Sequence, residues 1–283
     1  MTNLQDFYDY LYLSPHFDDV SLSCGGQIFR RTAIGDTVLV VTITGAEPPD
    51  GQLSETVQNL HRRWADSLGQ TPAAMVGQRR AEDAAALHIL RADVLHLPFL
   101  DCIYRAGPGG RPLYPGPTDM FGAAHPDDDG TIDALTAALA ALPPAGHVHL
   151  PLGVGGHVDH RLTRRAGEQA FDDVAYYEDY PYTMAPGALD AVLPVAGRGE
   201  WQAETMWLTE TALAAKIESI AAYRSQLSSF FTGLDDLADK LHREGRRVLD
   251  EARTEGEEVP GWAAGAERLW RPRPAFTLPS FEE

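Results

Sequence analysis

"DYLYLSPHFDDVSLSCGGQIFRRTAIGDTVLVVTITG", residues 9–45, decides the fold. Residues 9–14 read as a short strand running into a histidine and two aspartates. Residues 21–35 continue as a helix, and 36–45 form an unbroken β-branched run. Such a run is expected of a strand buried on both faces, as in a parallel sheet. The alternation continues outward from this unit. Helical spacing covers 54–68, with apolar residues at 57, 60, 64 and 68, and an Ala/Leu-rich helix covers 77–90. A buried strand follows at 92–99. Residues 131–142 form a helix stopped by Pro143 and Pro144, 146–153 a strand, and 160–171 a helix. Residues 175–182 read as a strand end and loop, and 209–231 as one long helix. The charged segment 232–283 is expected to wrap the outside. Strand–helix alternation of this kind predicts an α/β protein, one domain over 1–283, with a mostly parallel central sheet and helices on both faces.

Two stretches lack such a pattern, the loops 45–78 (outside its helix) and 104–130. The second is crowded with Gly and Pro, and a loop of that length in a compact domain usually serves function.

The 283 residues carry a formal charge of −18, with 44% apolar and 23% charged residues. This is the composition of a globular chain with a sizeable core. So acidic a chain is a poor partner for a phosphate backbone or an anionic membrane, so no nucleic acid and no membrane insertion are expected. Two cysteines make no disulfide framework. The opening residues lack the basic and apolar regions of a signal peptide, and no run reaches transmembrane length. The expectation is a cytoplasmic protein; a homo-oligomer is left open.

In open parallel sheets, ligands bind beyond the carboxyl ends of the strands. "SPHFDD" (14–19) leaves a strand there, delivering His16, Asp18 and Asp19. "LPLGVGGHVDHR" (150–161) leaves another and delivers His157, Asp159 and His160. Three protein ligands with one open position define a catalytic zinc site. One arrangement gives every residue a role: His16, Asp19 and His160 hold one Zn²⁺, and Asp18 takes a proton from water. His157 faces the substrate carbonyl, and Asp159 orients His157 and keeps it protonated. Paired aspartates after a strand can also be helix caps, Asp18 or Asp19 capping the helix near Ser21. The look-alike "HPDDDG" (125–130) has no strand before it and reads as a solvated loop.

"PHFDDV" (15–20) and "HVDH" (157–160) together resemble the two motifs of the PIG-L/LmbE-like zinc-dependent de-N-acetylases. "QRRAEDAAAL" (78–87), "LPFLDCIYR" (97–105), "YEDYPY" (177–182), "KIESIAAYRSQ" (216–226) and "GAERLWR" (265–271) are similar as well. The resemblance implies a Rossmann-like fold and hydrolysis of an N-acetyl group on a small amino-sugar compound. It implies His16, Asp19 and His160 as zinc ligands, Asp18 as base, and His157 as acid or oxyanion stabiliser. Phe17, Val20 and Val158 depart from the family's usual proline, acid and proline.

Asp101 and Arg105 are candidates for substrate contact, the alternative being a surface ion pair. Among Tyr176, Tyr177, Tyr180 and Tyr182, core packing explains some, and Tyr180 or Tyr182 could line a sugar site. His147 and His149, alternating on one strand, read as structural, and Cys24 as a buried small residue. Two other functions fit parts of the pattern. Two histidines and a carboxylate also make the facial triad of a non-haem Fe(II) oxygenase. A non-catalytic sugar-binding protein could share the fold.

Overall fold

The structure, a computed structural model, describes residues 4–49, 53–64, 71–193 and 199–273. The chain runs β1 (Tyr8–Ser14), α1 (Asp19–Ala33), β2 (Val38–Thr42), α2 (Glu55–Trp64), α3 (Pro72–Ile89), β3 (Asp93–His96) and α4 (Asp129–Ala140). It continues through β4 (Ala145–Pro151), α5 (Val158–Ala170), β5 (Val174–Tyr177), α6 (Ala188–Val192), β6 (Trp201–Leu208), α7 (Glu210–Ala221), α8 (Arg224–Phe230), α9 (Leu234–Thr254) and β7 (Gly265–Pro272).

All these strands join one sheet in the order β3-β2-β1-β4-β5-β7-β6. The pairs from β3 to β5 are parallel, whereas β7 is antiparallel to both β5 and β6. Chain order reverses between β1 and β4, which lie side by side with Leu11 opposite Val148. The loops leaving these two strands carry the two histidine–aspartate motifs, so the motifs meet at the switch point of the sheet.

Period-two alternation sorts the strands onto two buried faces. Leu11, Leu13, Leu39 and Val41 pack with Leu135 and Leu139 of α4 and Leu162 of α5. Tyr12, Val38 and Val40 pack with Val20, Cys24 and Ile28 of α1 and Leu87 of α3. His149 lies flat on Tyr12, with ring centroids 4.3 Å apart, and His147 stacks on Tyr10. His149 is therefore a buried packing residue, whereas His147 is exposed at the start of the strand.

The fold class and the site edge agree with the sequence reading, but three elements differ. The helix expected at 209–231 is broken at Ala222–Tyr223, where the buried Tyr223 donates its hydroxyl to Asp83 (2.7 Å). Strand β6 was not anticipated, although "WQAETMWL" alternates. The segment 232–273 does more than wrap the outside: α9 packs against β7 and α7, and β7 inserts between β5 and β6. The ends of the expected segments 54–68 and 232–283, and part of the loop 45–78, lie outside the described residues. Among the described residues, no helix is long and apolar enough to cross a membrane.

Candidate active site

The first motif turns sharply out of β1. Ser14 Oγ donates to the His16 carbonyl and accepts the Val20 N–H, while Thr44 bonds the Pro15 carbonyl through both its N–H and its hydroxyl. The turn is thus pinned from both sides. Asp19 Oδ2 accepts the His16 N–H (2.8 Å) and lies 3.0 Å from His16 Nδ1. Asp18 occupies the N-cap position of α1 but makes no side-chain capping bond. Its carboxylate is left available, against the capping alternative.

The second motif opens α5. Gly155 sits at φ +82°, and a Cβ there would come within 2.5 Å of the Tyr182 ring, so the loop requires glycine. His157 is the N-cap residue, its Nδ1 accepting the Asp159 N–H (3.2 Å). His160 is one turn into the helix and almost fully buried. Its Nδ1 lies 2.7 Å from Asp179 Oδ1, and its Nε2 lies 3.3 Å from Asp19 Oδ2.

A carboxylate stands behind each of His16 and His160. Asp179 Oδ2 also accepts the Gly153 and Val154 N–H groups, tying the glycine loop to the end of β5. Asp159 Oδ2 lies 3.1 Å from His16 Nε2 and accepts the Cys102 N–H, while Oδ1 accepts from Arg105 (2.5 Å). Arg105 is itself buried and bridges to Asp128 (2.8 Å). The Tyr114 hydroxyl donates to that same Asp128. Asp101 caps the turn at Cys102–Tyr104 and lies 3.9 Å from His16 Nε2.

Charges at the site are set by these neighbours. Burial pushes Asp18 up, the Asp19 charge adds to it, and its pKa reaches about 6. Burial would also raise Asp19, but His160 and His16 hold it well below the usual range. Burial opposes a charge on His160, yet Asp19 and Asp179 outweigh it and lift the imidazole to about 9. His16 is raised likewise, by Asp19 and Asp159 against burial. His157 goes the other way: burial, then the neighbouring His16, lowers it to about 3.

Several donor sets converge here. His16, Asp19 and His160 present donor atoms 3.0 and 3.3 Å apart. A tetrahedral zinc with bonds of about 2.0–2.1 Å spaces its donors roughly 3.3 Å apart. Among the described residues, the buried His160 Nε2 has no hydrogen-bond partner, and the second nitrogen of each imidazole faces a carboxylate. That carboxylate–histidine pairing is the one metal-binding histidines use. The residues therefore fit a divalent metal. His157 also converges on His16 and His160, with ligand atoms within 4.8 Å. Two further groups, Cys102–His157–Asp159 and His16–Asp101–Asp159, both draw on Asp159. That residue is already committed to Arg105.

The structure thus brings His16, Asp18, Asp19, His157, Asp159 and His160 together, with Asp101 and Tyr182 at the margin. Four placements differ from expectation. The Asp159 carboxylate takes His16, Arg105 and the Cys102 N–H as partners; among the described residues, the His157 imidazole accepts only the Asp159 backbone N–H, and burial holds it neutral. Arg105 is a buried ion-pair bridge, neither a surface pair nor an open substrate contact. Tyr180 packs with Leu22, Leu213, Leu237 and Leu241 in the core, whereas Tyr182 sets its ring edge-on to His160 (5.5 Å). Asp128 of "HPDDDG" is buried rather than solvated.

Sequence reasoning missed Asp179 as the partner of His160. Its place just past β5, on the carboxyl edge of the sheet, was the available signal. It also missed Phe121, an exposed ring set edge-on to His157 (5.3 Å). The segment around Phe121 is tied to the second motif by Val158 N–H to Met120 O and Gly122 N–H to Gly156 O. Phe17, Val20 and Val158, the three departures from the family pattern, are all buried packing positions.

The family described as PIG-L, GlcNAc-PI de-N-acetylase, matches residues 11–171. That span runs from β1 to the residue after α5 and contains both motifs. A 2'-N-acetylparomamine deacetylase of Streptomyces fradiae is 30% identical over 281 residues, covering 94% of this chain and 90% of that protein. The enzyme of the same name from Niallia circulans is 30% identical over 190 residues, 63% of this chain and 69% of that protein. Among solved structures, the zinc-inhibited form of teicoplanin deacetylase Orf2 superposes with a TM-score of 0.73 at 26% identity, over 92% of this chain and 96% of that one. The chain belongs to the PIG-L family and is an amide-hydrolysing de-N-acetylase.

Proposed function

We propose that the protein removes an N-acetyl group from an amino sugar within a small glycoside, using one Zn²⁺ held by His16, Asp19 and His160. The observation that carries this reading is the donor triangle, 3.0 and 3.3 Å on two of its edges, beside the uncommitted carboxylate of Asp18. When bound, the metal supplies a Lewis acid and makes hydroxide available near neutral pH. Asp18 accepts the proton of the attacking water and returns it to the leaving nitrogen. His157 is neutral, and its Nδ1 is occupied by the Asp159 N–H, so its hydrogen sits on Nε2. That N–H donates to the carbonyl oxygen as negative charge develops there; losing one such donor typically costs about 10²–10³ in rate. Asp159 and Asp179 act behind the ligands, fixing the tautomer and direction of His16 and His160.

The sugar side of the substrate lies over Tyr182 and Phe121. The charge of −18 favours a substrate bearing further protonated amines, as an aminoglycoside does, because a negative field raises the local concentration of cations. The two paromamine-derivative deacetylases among the relatives support that class. A cytoplasmic setting accords with two free, buried cysteines.

The test is acetate release from a panel of N-acetylated amino sugars, charged and neutral, with metal content measured on the same samples. Asp18→Asn is expected to keep its zinc and its melting temperature while losing about 10²–10⁴ of the rate, the usual contribution of a general base. Wild-type turnover by that variant, or stoichiometric iron with oxygen consumption, overturns the reading.

A further inference from the structure

We propose that the cavity inside the loop between β3 and α4 is the subsite for the part of the glycoside beyond the acetylated ring, and that Asp119 and Asp127 in it select a second ring that carries amines. This deepens the reading of the protein as a de-N-acetylase of amino sugars and rests on it.

The cavity holds about 680 Å³, inside the range of about 300–1,000 Å³ usual for small-molecule sites. Its lining comes entirely from residues 107–127. Phe121 joins it to the catalytic groups. The ring that borders the cavity also stands edge-on to His157 (5.3 Å) and to Tyr182 (6.2 Å). The cavity therefore begins a ring's width from the imidazole that meets the acetyl carbonyl. With the acetylated sugar over Tyr182 and Phe121, a ring linked to it on the Phe121 side extends into this space.

The cavity is held at a fixed place relative to the site by two ties. Gly122 N–H bonds Gly156 O and Val158 N–H bonds Met120 O, so the chain at Phe121 runs antiparallel to the residues around His157. On another wall the buried Tyr114 donates its hydroxyl to Asp128 and accepts the His125 N–H. Asp128 pairs with Arg105, and Arg105 with Asp159. A loop tied in this way pays little ordering cost when a ligand enters, so contacts made in it count toward binding.

The lining suits a ring with apolar C–H faces and polar substituents. Phe121, Pro112 and Pro115 supply apolar surface, and the exposed Asp119 and Asp127 supply two carboxylates against the one guanidinium of Arg111. Asp119 Oδ2 accepts the Gly116 N–H (2.8 Å), which fixes the direction of that carboxylate. His125 lies 3.8 Å from Asp127 Oδ2. A carboxylate accepts from a hydroxyl and from an ammonium group alike, but the charge-assisted bond to the ammonium is the stronger.

The experiment measures kcat/KM for N-acetylglucosamine as its methyl glycoside, as the glycoside of a polyhydroxylated ring, and as the glycoside of that ring with amines in place of hydroxyls. It uses the wild type, Thr118→Trp, which fills the cavity from an exposed wall, and Asp119→Asn combined with Asp127→Asn, which keeps the shape and removes the charge. Melting temperatures show that each variant is folded. Hydrogen bonds to charged groups are each worth roughly tenfold or more. The wild type is expected to prefer the amine-bearing glycoside to the methyl glycoside by at least about tenfold. Thr118→Trp is expected to abolish that preference at an unchanged rate on the methyl glycoside. The double Asn variant is expected to bring the amine-bearing ring down to the level of the hydroxylated one. Equal wild-type rates on the methyl and amine-bearing glycosides overturn the inference alone. So do variants that slow all three substrates by one common factor. Absence of acetate release from every one of the three by the wild type overturns the amino-sugar reading itself, and this inference with it.

Discussion

His160 Nδ1 lies 2.7 Å from Asp179 Oδ1, and the other oxygen of that carboxylate holds the N–H groups of Gly153 and Val154. One side chain from the end of β5 therefore aims the imidazole and shapes the loop that delivers it. Asp179→Asn weakens the aiming bond while keeping the volume. The expected result is metal affinity lower by about 10–100-fold, the usual cost of removing such a partner. Competition with a chelator of known affinity measures it, and unchanged affinity would show that Asp179 serves only the loop.

Arg105 bridges two buried carboxylates, Asp128 and Asp159. Removing it leaves both charges without their cation, and breaking a buried pair costs about 3–5 kcal/mol. Arg105→Ala is expected to lose roughly that much stability in denaturant titration. Asp128→Asn, which keeps the arginine and the second carboxylate, is expected to lose less. Equal losses in the two variants would mean that the bridge does not act through Asp159.

Phe121 is 44% exposed and rests edge-on against His157. Truncating an exposed ring changes stability little, typically within about 0.5 kcal/mol. A specific contact between two aromatic rings is worth about 0.5–1.5 kcal/mol beyond burial, and a sugar face on Phe121 is expected to contribute on that order. Phe121→Ala is expected to raise KM by roughly two- to tenfold at nearly constant kcat and melting temperature. A fall confined to kcat would place the ring behind His157 instead of under the substrate.

His149 is buried against Tyr12, and burial, helped by the Arg271 charge, lowers its pKa to about 3. Unfolded, it titrates near 6.5. The folded state binds fewer protons between these values, so the stability contributed by neutral His149 is full above pH 6.5. It is lost as pH falls from there toward 3. At about 1.4 kcal/mol per pKa unit the span is on the order of 5 kcal/mol. His149→Phe keeps the stacking and removes the titration. Its stability is expected to decline less between pH 6.5 and 4, measured by denaturant midpoints across that range.

The parallel half of the sheet was legible because β2 is a continuous apolar run and β1 and β4 are short segments with alternating apolar residues, each next to a helical pattern. Both motifs were legible because each follows such a strand. The edge was not: β7 and β6 pair antiparallel across a long excursion through α7, α8 and α9, and no local pattern says where a returning strand inserts. The halt at Tyr223 has no Pro or Gly to mark it and is imposed by the buried bond to Asp83. Within the site, residue types and spacing singled out His16, Asp18, Asp19, His157 and His160. They could not say which carboxylate serves which histidine. Asp159 follows His157 in the chain by two residues, yet its side chain turns to His16 and Arg105. Asp128 looked like solvent-facing charge because its partner, Arg105, comes from the other end of the same loop.

The side-by-side placement of β1 and β4 has a consequence for how the protein is made. Of the proposed ligands, His16 and Asp19 leave the ribosome early, while His160 waits for most of the sheet to be synthesised. Until β4 pairs with β1, the nascent chain offers two donors, and a third arrives only with α5. Metal capture would thus act as a late seal on assembly, adding its binding energy only to chains whose central strands are already in register.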